Sequence, residues 1–298
     1  MKQMHETPTT FAMTQAHWDH LQKSGDRHKH CYGHAVIVAG PFGHGGAARL
    51  AARGALRIGA GLVSVACAAD AVQEHAAHLN AIMIKPFGAG RSLPACFTQI
   101  RPSAICIGPN LGLDAAAKRA LVDTLAQTCP ICIDADAITL LSDATGGIDP
   151  AAQRQNVMSP HEGELRRFIP AAFEQTTCRV TLATLAAAKA NCVVLFKGVE
   201  TIIAAPTGEF ATVSSRPFQH AGWLATAGSG DVLSGFITGL LARGLDAFDA
   251  ASVAAHLHLL CAEAFGPGLV AEDIPEMVPR VLRLKNEGLL DPLETGPF

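Results

Sequence analysis

A run of small residues, Ala221-Gly222-Trp223-Leu224-Ala225-Thr226-Ala227-Gly228-Ser229-Gly230, ends in one carboxylate, Asp231, and passes into an apolar stretch, Val232 to Leu241, with helical spacing. Glycines allow backbone N–H groups to approach an oxyanion. The first turn of a following helix adds unpaired donors and partial positive charge. A carboxylate is out of place beside a phosphate unless it has a task there. An unperturbed Asp, with a pKa of about 3.9, is ionised at neutral pH and can take a proton from a hydroxyl aimed at a phosphoryl group. The alternative for Asp231 is a helix cap, a task Asp also performs well.

Further groups with chemical potential follow apolar runs. Gly40-Pro41-Phe42-Gly43-His44-Gly45-Gly46 comes after Ala35 to Ala39, and Gly108-Pro109-Asn110-Leu111-Gly112 after Ala104 to Ile107. Asp134-Ala135-Asp136 follows Ile131 to Ile133. Ser159-Pro160-His161-Glu162-Gly163-Glu164 follows Asn156 to Met158, and Lys197-Gly198 follows Cys192 to Phe196. The Gly40 loop fails as a P-loop, because Gly46-Ala47 stands where Lys-Ser or Lys-Thr is needed. It matches a dinucleotide fingerprint only with Ala48 as the third glycine, which leaves a Rossmann dehydrogenase as a minor reading. Ser159 to Glu162 reads as a capping box with proline at the first helical position, a pattern that does not require His161. If extended, Asp134 and Asp136 point to opposite sides, so one faces a ligand while the other satisfies backbone groups. A lysine ending a buried strand, as Lys197 does, wants an anion.

The elements needed to position these groups are legible in the periodicity. Strands are expected at Ala35 to Ala39, Leu62 to Ala66, Ala81 to Ile84, Ala104 to Ile107, Ile131 to Ile133, Asn156 to Met158 and Cys192 to Phe196. Helices are expected over Ala47 to Ile58, Asp70 to Leu79, Asp114 to Gln127 and Val180 to Ala190, and then over Val232 to Ala242, Ala250 to Phe265 and Ile274 to Lys285. Thr201 to Pro206 and Glu209 to Val213 read as a hairpin turning at Thr207-Gly208. Apolar strands alternating with helices predict an α/β fold with a mostly parallel sheet covered on both faces, with ligands outside the carboxyl ends of the strands. Residues 1–32 are polar and patternless and are expected to form an arm or a helix lying on a neighbour, before one domain over 33–298.

The 298 residues are 49% apolar and 16% charged, with a formal net charge of −3 and 5% aromatics. Basic side chains are scattered, which gives no footprint for nucleic acid, and no window has the apolar length of a membrane span. No signal core precedes residue 32, and a cytoplasmic protein is expected. The nine cysteines fall mostly in apolar runs, where cysteine acts as a small core residue. Cys129 and Cys132 form one C-x-x-C that leaves a redox pair or half a zinc site open. His256 and His258, two apart on a helix, face different ways, and His75 with His78 has no nearby third ligand, so no protein-held metal is expected.

Taken in order, several motifs resemble the ADP/ATP-dependent NAD(P)H-hydrate dehydratase family. They are His28-Lys29 to Gly40, Gly46-Ala47, Gly59-Ala60-Gly61-Leu62-Val63, Gly108 to Gly112 and Asp134-Ala135-Asp136-Ala137, then Pro160 to Glu164, Lys197-Gly198 with Thr201, and Gly228-Ser229-Gly230-Asp231-Val232-Leu233. The resemblance covers His28 to about Phe265 and implies a ribokinase-like three-layer α/β/α sandwich. It implies a repair reaction in which hydrated NADH or NADPH is dehydrated at the expense of a nucleotide phosphoryl group, from ADP in bacterial-looking members, giving AMP and phosphate.

On this resemblance Asp231 is the catalytic base. Ala47, Gly112, His161 and Asp231 line the hydrate site, and Lys197, Gly198, Val199, Glu200, Thr201, Gly228, Ser229 and Gly230 hold the nucleotide. Mg²⁺ accompanies the nucleotide through phosphate and water. Asn110, Ser229 and Ala39 replace residues more usual in the family, which bears on fine specificity. Residues 1–32 are too few for the epimerase domain that many relatives carry, so a separate epimerase is expected in the same pathway, along with assembly as a homotetramer. The rivals are a ribokinase-like kinase of a vitamin-precursor alcohol and a catalytically silent nucleotide-binding regulator.

Overall fold

The computed structural model describes residues 10–88, 90–143 and 155–290. Its strands are β1 (His34–Val38), β2 (Leu62–Ala68), β3 (Met83–Phe87), β4 (Ala104–Ile107), β5 (Ile131–Ile133), β6 (Val157–Met158), β7 (Val193–Phe196), β8 (Glu200–Ala204) and β9 (Phe210–Ser214). Among the described residues they form one nine-stranded sheet in the order β3-β2-β1-β4-β5-β6-β7-β8-β9. The strands from β3 across to β7 are parallel, and β8 and β9 are antiparallel additions at one edge.

The helices are α1 (Gln15–Leu21), α2 (Gly45–Arg57), α3 (Val72–Ala76), α4 (Leu93–Ile100), α5 (Ala115–Leu125), α6 (Ala135–Asp143), α7 (Glu162–Phe168), α8 (Pro170–Gln175), α9 (Arg179–Ala190), α10 (Ser229–Ala242), α11 (Ala247–Phe265) and α12 (Asp273–Asn286). Side chains alternate across a strand, and two apolar cores result. Ala35, Ile37, Cys106, Cys132 and Leu195 face the core built with α2, α10, α11 and α12. Val36, Val38, Ile105, Ile131, Ile133 and Phe196 face the other, built with α4, α5, α6, α7 and α9. This is the expected three-layer α/β/α arrangement.

Several boundaries differ from the sequence reading for identifiable reasons. The third strand runs over Met83–Phe87 instead of Ala81 to Ile84, with Pro86 inside it. An edge strand tolerates proline because one side makes no ladder bonds, and β3 is at the edge. The hairpin turns over a longer loop, with Ala205 N–H donating to the Glu209 carbonyl and Gly208 N–H to the Ala205 carbonyl. Pro206 presets that turn and Gly208 takes the left-handed place after it. The helix expected over Asp70 to Leu79 is shorter, a 3₁₀ turn followed by Val72–Ala76.

Of the expected arm, residues 1–9 lie outside the described residues. The rest packs on its own chain. Phe11 N–H donates to the Thr212 carbonyl of the edge strand β9, and Trp18 of α1 is buried. Arg243, which follows α10, donates to the carbonyls of His20, Gln22 and Ile58, tying the arm to the end of that helix.

The tightest helix pair is α2 against α10, and small residues make it possible. Gly54 lies against Val232 and Phe236, and a methyl group on Gly235 or Gly239 would overlap Ala51 or Ile58. The seam fixes the direction in which the start of α10 points. Gly235→Ala is expected to lower stability by about 1–3 kcal/mol through overpacking, although alanine is the better helix former. Gly46→Ala, at an open position in the same seam's first helix, is expected to be neutral or slightly stabilising. Thermal melts of the two variants check this.

Candidate active site

The unusual residues gather at the carboxyl ends of the strands. Asp134 follows β5, is 2% exposed and uses both carboxylate oxygens: Oδ1 is 2.9 Å from Lys197 Nζ, and Oδ2 accepts from Ser234 Oγ at 2.6 Å. The anion sought by Lys197 is thus inside the protein. Burial alone would depress the Lys197 ammonium, but the carboxylates of Asp134 and Glu164 and the Asp134 hydrogen bond outweigh it and hold it above the ordinary lysine range.

Backbone geometry around Asp134 is specialised. Ala135 has φ +47°, a left-handed value that a β-carbon disfavours, and it starts α6, a helix absent from the sequence reading. Gly108, at φ +126°, lies against the Asp134 carbonyl, where a β-carbon would collide. Asp136, in the first turn of α6, accepts from Gly112 N–H at 2.8 Å and so braces the Gly108 to Gly112 turn. Asp136 thus satisfies a backbone group as expected, but Asp134 does not face a ligand cavity, because both its oxygens are taken up inside the protein.

Asp231 is not the cap of α10. Gly228 occupies the N-cap with φ +89°, and Asp231 is the third helical residue. Burial first, then the negative charge of Asp134, push the Asp231 carboxyl up to about 7, with Lys197 pulling the other way. Its proton affinity is therefore placed for exchange near neutral pH. Ser229 is held from α11: the Ser229 carbonyl lies 3.0 Å from His258 Nε2, and its hydroxyl lies 3.4 Å from the same nitrogen. Burial drives His258 down to about 4, leaving a neutral imidazole whose Nε2–H serves as donor to the start of α10.

The capping box of α7 is displaced by two residues from the expected one. His161, and not Ser159, is the N-cap. Its Nδ1 accepts from Glu164 N–H at 3.1 Å, while Glu164 Oε2 accepts from His161 N–H at 2.8 Å. Ser159 is buried, with its N–H bonded to the Ile133 carbonyl, and the Pro160 carbonyl accepts from Lys197 N–H, continuing the sheet pairing in place of starting a helix.

A cavity of about 530 Å³ opens beside these groups. Lys197, Gly198, Val199, Thr201, Ser229, Gly230 and His161 line it, with His258 and apolar residues from α10 and α11. Thr201 Oγ1 closes the loop by donating to the Gly198 carbonyl at 3.0 Å. Glu200 turns away to Ser214 and Arg216, and Gly228, Ala47, Gly112 and Asp231 lie outside the cavity wall. A second cavity, about 590 Å³, sits between α1, α2 and α12, next to the amino ends of β2 and β3 and not at the carboxyl ends. Its Arg53 and Arg57 are committed to Glu276, and no carboxylate lines it.

Three contributors escaped the sequence reading. Arg179, at the start of α9, stacks on Phe196 with its guanidinium carbon 3.6 Å from the ring centroid and donates to the carbonyls of Phe196, Lys197 and Glu200. A cation in the first helical turn opposes the helix dipole, and that was its signal in the sequence. Glu74 accepts from Gly43 N–H, Gly45 N–H and Arg49, which shapes the first glycine loop. Ser234 is one turn beyond Asp231 on the same helix face. Cys132 lies opposite Cys106 in the β4–β5 register, away from Cys129, and all nine cysteines are free. Among the described residues no group of three or more His, Cys, Asp or Glu is arranged around a metal position, and no helix is long and apolar enough to cross a membrane.

The sheet order, with helices on both faces, defines a ribokinase-like fold. A ribokinase-like superfamily protein of Enterococcus faecalis superposes with a TM-score of 0.77 at 24% identity, over 95% of this chain and 98% of that one. The chain belongs to the NAD(P)H-hydrate dehydratase family, whose sequence pattern matches residues 35–277. It is similar to the ADP/ATP-dependent NAD(P)H-hydrate dehydratase of Bacillus subtilis co-crystallised with ATP/Mg²⁺, with a TM-score of 0.75 and 26% identity over 93% of this chain and 98% of that one. It is 36% identical over 294 residues to the bifunctional NAD(P)H-hydrate repair enzyme Nnr of Salinibacter ruber, covering 92% of this chain and 52% of that protein. The chain spans about half the length of the curated relatives it matches.

The raised Asp231 pKa has a stability consequence. The unfolded carboxyl ionises near its ordinary value of about 4, while the folded one keeps its proton until about 7. Stability therefore declines as pH rises through that window. Asp231→Asn is expected to raise the melting temperature more at pH 8 than at pH 4.5; an equal gain at both would contradict the burial argument.

Proposed function

We propose that this chain is a nucleotide-dependent NAD(P)H-hydrate dehydratase, a hydro-lyase of nicotinamide-cofactor repair that uses ADP by preference. The observation that carries the reading is Asp231, a half-buried carboxylate brought to about 7 at the start of a glycine-loop helix, beside a cavity lined by Lys197, Gly198 and Thr201. Membership of the dehydratase family supports the choice of substrate.

In this reading the nucleotide occupies the 530 Å³ cavity, with its AMP portion against Lys197, Gly198, Val199 and Thr201, while Glu200, turned to Ser214 and Arg216, stays out of it. The N–H groups of Gly228 and Gly230 would meet the transferring phosphoryl group, with the helix dipole behind them, while the Ser229 N–H is turned to the Thr226 carbonyl. The hydrate lies towards Ala47, Gly112 and His161, with its hydroxyl on Asp231. Asp231 takes the hydroxyl proton as the oxygen attacks phosphorus and AMP leaves. The resulting phosphate ester is a good leaving group, which the ring-nitrogen lone pair expels, and loss of a proton from the adjacent carbon restores NAD(P)H.

Mg²⁺ would neutralise phosphate charge when bound. The ion would be carried by phosphate and water, as Mg²⁺ commonly is. A cytoplasmic setting, a homotetramer and a separate epimerase supplying the usable epimer complete the proposal. The roughly doubled length of the bifunctional relatives is in keeping with a second activity outside the matched half.

The test is recovery of the reduced-nicotinamide absorbance when the protein is mixed with hydrated NADH, Mg²⁺ and either ADP or ATP. Recovery only with a nucleotide is expected, and the faster nucleotide identifies the donor. Flat absorbance with a stable phosphorylated product from an alcohol substrate would instead make the protein a kinase. Arg179→Met removes the clamp on the 196–200 carbonyls and is expected to raise the nucleotide KM about tenfold with a smaller change in kcat, the value of one to two hydrogen bonds from a charged donor.

A further inference from the structure

Asp134 is 2% exposed, lies outside the cavity wall, and has both oxygens occupied within the protein. We propose that Asp134 is a positioning residue that fixes Lys197 beneath the glycine loop and sets the charge felt by Asp231. The proposal rests on the reading of Asp231 as the base.

The geometry makes this more than an isolated buried ion pair. A pair serving only the fold is satisfied by its own two members, whereas Asp134 divides its oxygens between two elements of the site. Oδ1 takes Lys197 from the end of β7, and Oδ2 takes Ser234 from α10, one turn beyond Asp231. The Lys197 ammonium is thereby kept close to Gly230, where a β-carbon would lie 3.8 Å from Nζ. The carboxylate is also held in position by backbone: Gly108 admits the Asp134 carbonyl, and Ala135 turns left-handed directly after it.

The other charges around Asp231 are few. Its own helix carries no other ionisable group. From α11 comes His258, neutral through burial, and from β4 the thiol of Cys106. From α2, Arg49 and Arg53 are paired with Glu74 and Glu276, and the latter belongs to α12. The field at Asp231 is left to Asp134 and Lys197, which act in opposite senses. When Lys197 turns part of its charge towards a nucleotide phosphate, Asp134 is less compensated and Asp231 becomes a stronger base.

The experiment is a pH titration of the Asp231 carboxyl carbon by NMR in the substrate-free protein, with ¹³C-labelled aspartate and the signal assigned through Asp231→Asn. Asp134→Asn is expected to lower the midpoint by about one pH unit or more, the usual effect of removing a neighbouring like charge, and Lys197→Met to raise it. Ser234→Ala, a mild change that keeps both charges, is expected to raise it slightly by stripping Asp134 of its second partner. The acid limb of kcat/KM in Asp134→Asn should move to lower pH with the NMR midpoint. A residue that only supports the fold would lower activity at every pH and leave the limb in place. An unmoved midpoint in Asp134→Asn, or in Ser234→Ala should the former not fold, overturns the proposal, as does movement of Asp134→Asn and Lys197→Met in the same direction. Because the titration needs no substrate, the expected shifts without dehydration would refute the dehydratase reading alone, and dehydration with an unmoved midpoint would refute this one alone.

Discussion

A carboxylate buried at the end of β5 is the constraint on which the site depends. Asp134 cannot be charged in an apolar interior without partners, and the two it has, Lys197 and Ser234, come from β7 and α10. Satisfying one residue therefore pins three elements together at the place where the strands end. The same requirement leaves a second carboxylate, Asp231, short of compensation, because Lys197 is already engaged. The near-neutral proton affinity of Asp231 follows first from its own burial and then from the charge of Asp134, against which Lys197 acts.

The glycines and alanines of α2 and α10 supply the complementary constraint. Large side chains would hold two helices about 10 Å apart. The small residues Ala51, Gly54, Gly235 and Gly239 let them touch along their backbones, which sets the start of α10 beside the start of α2 with little freedom. His258 then anchors the start of α10 through the Ser229 carbonyl. Arg243 and the arm hold the far end of α10, so the helix carrying Asp231 is restrained at both ends.

The two halves of the proposed reaction have separate supports. The cavity side is shaped by Arg179, Thr201 and the loop after β7, and it meets α10 at Ser229 and Gly230. The Ala47 and Gly112 side is shaped by Glu74 and Asp136, acidic residues whose oxygens are spent on backbone N–H groups of the two glycine loops. Asp231, third in α10, follows directly on Gly230 of the cavity wall.

The sequence by itself determined the layer architecture, the strand ends as the place where the conspicuous residues gather, and the identity of those residues. Apolar runs of strand length alternating with helical runs leave few other folds, and loops of glycine ending in Asp231 or preceded by a buried strand and Lys197 mark themselves by composition. It failed wherever the decisive partner was distant in the chain. Asp134 is 100 residues from Ser234 and 63 from Lys197, and neither periodicity nor local spacing carries that information. The displaced cap at His161 has the same origin: Ser159 and Pro160 are drawn into pairing with β5 and β7, and sheet hydrogen bonds outweigh a local capping preference. Whether Asp231 capped a helix or held a proton was likewise undecidable from its neighbours. Its proton affinity depends on burial and on the charges of Asp134 and Lys197, and only the tertiary structure brings these together.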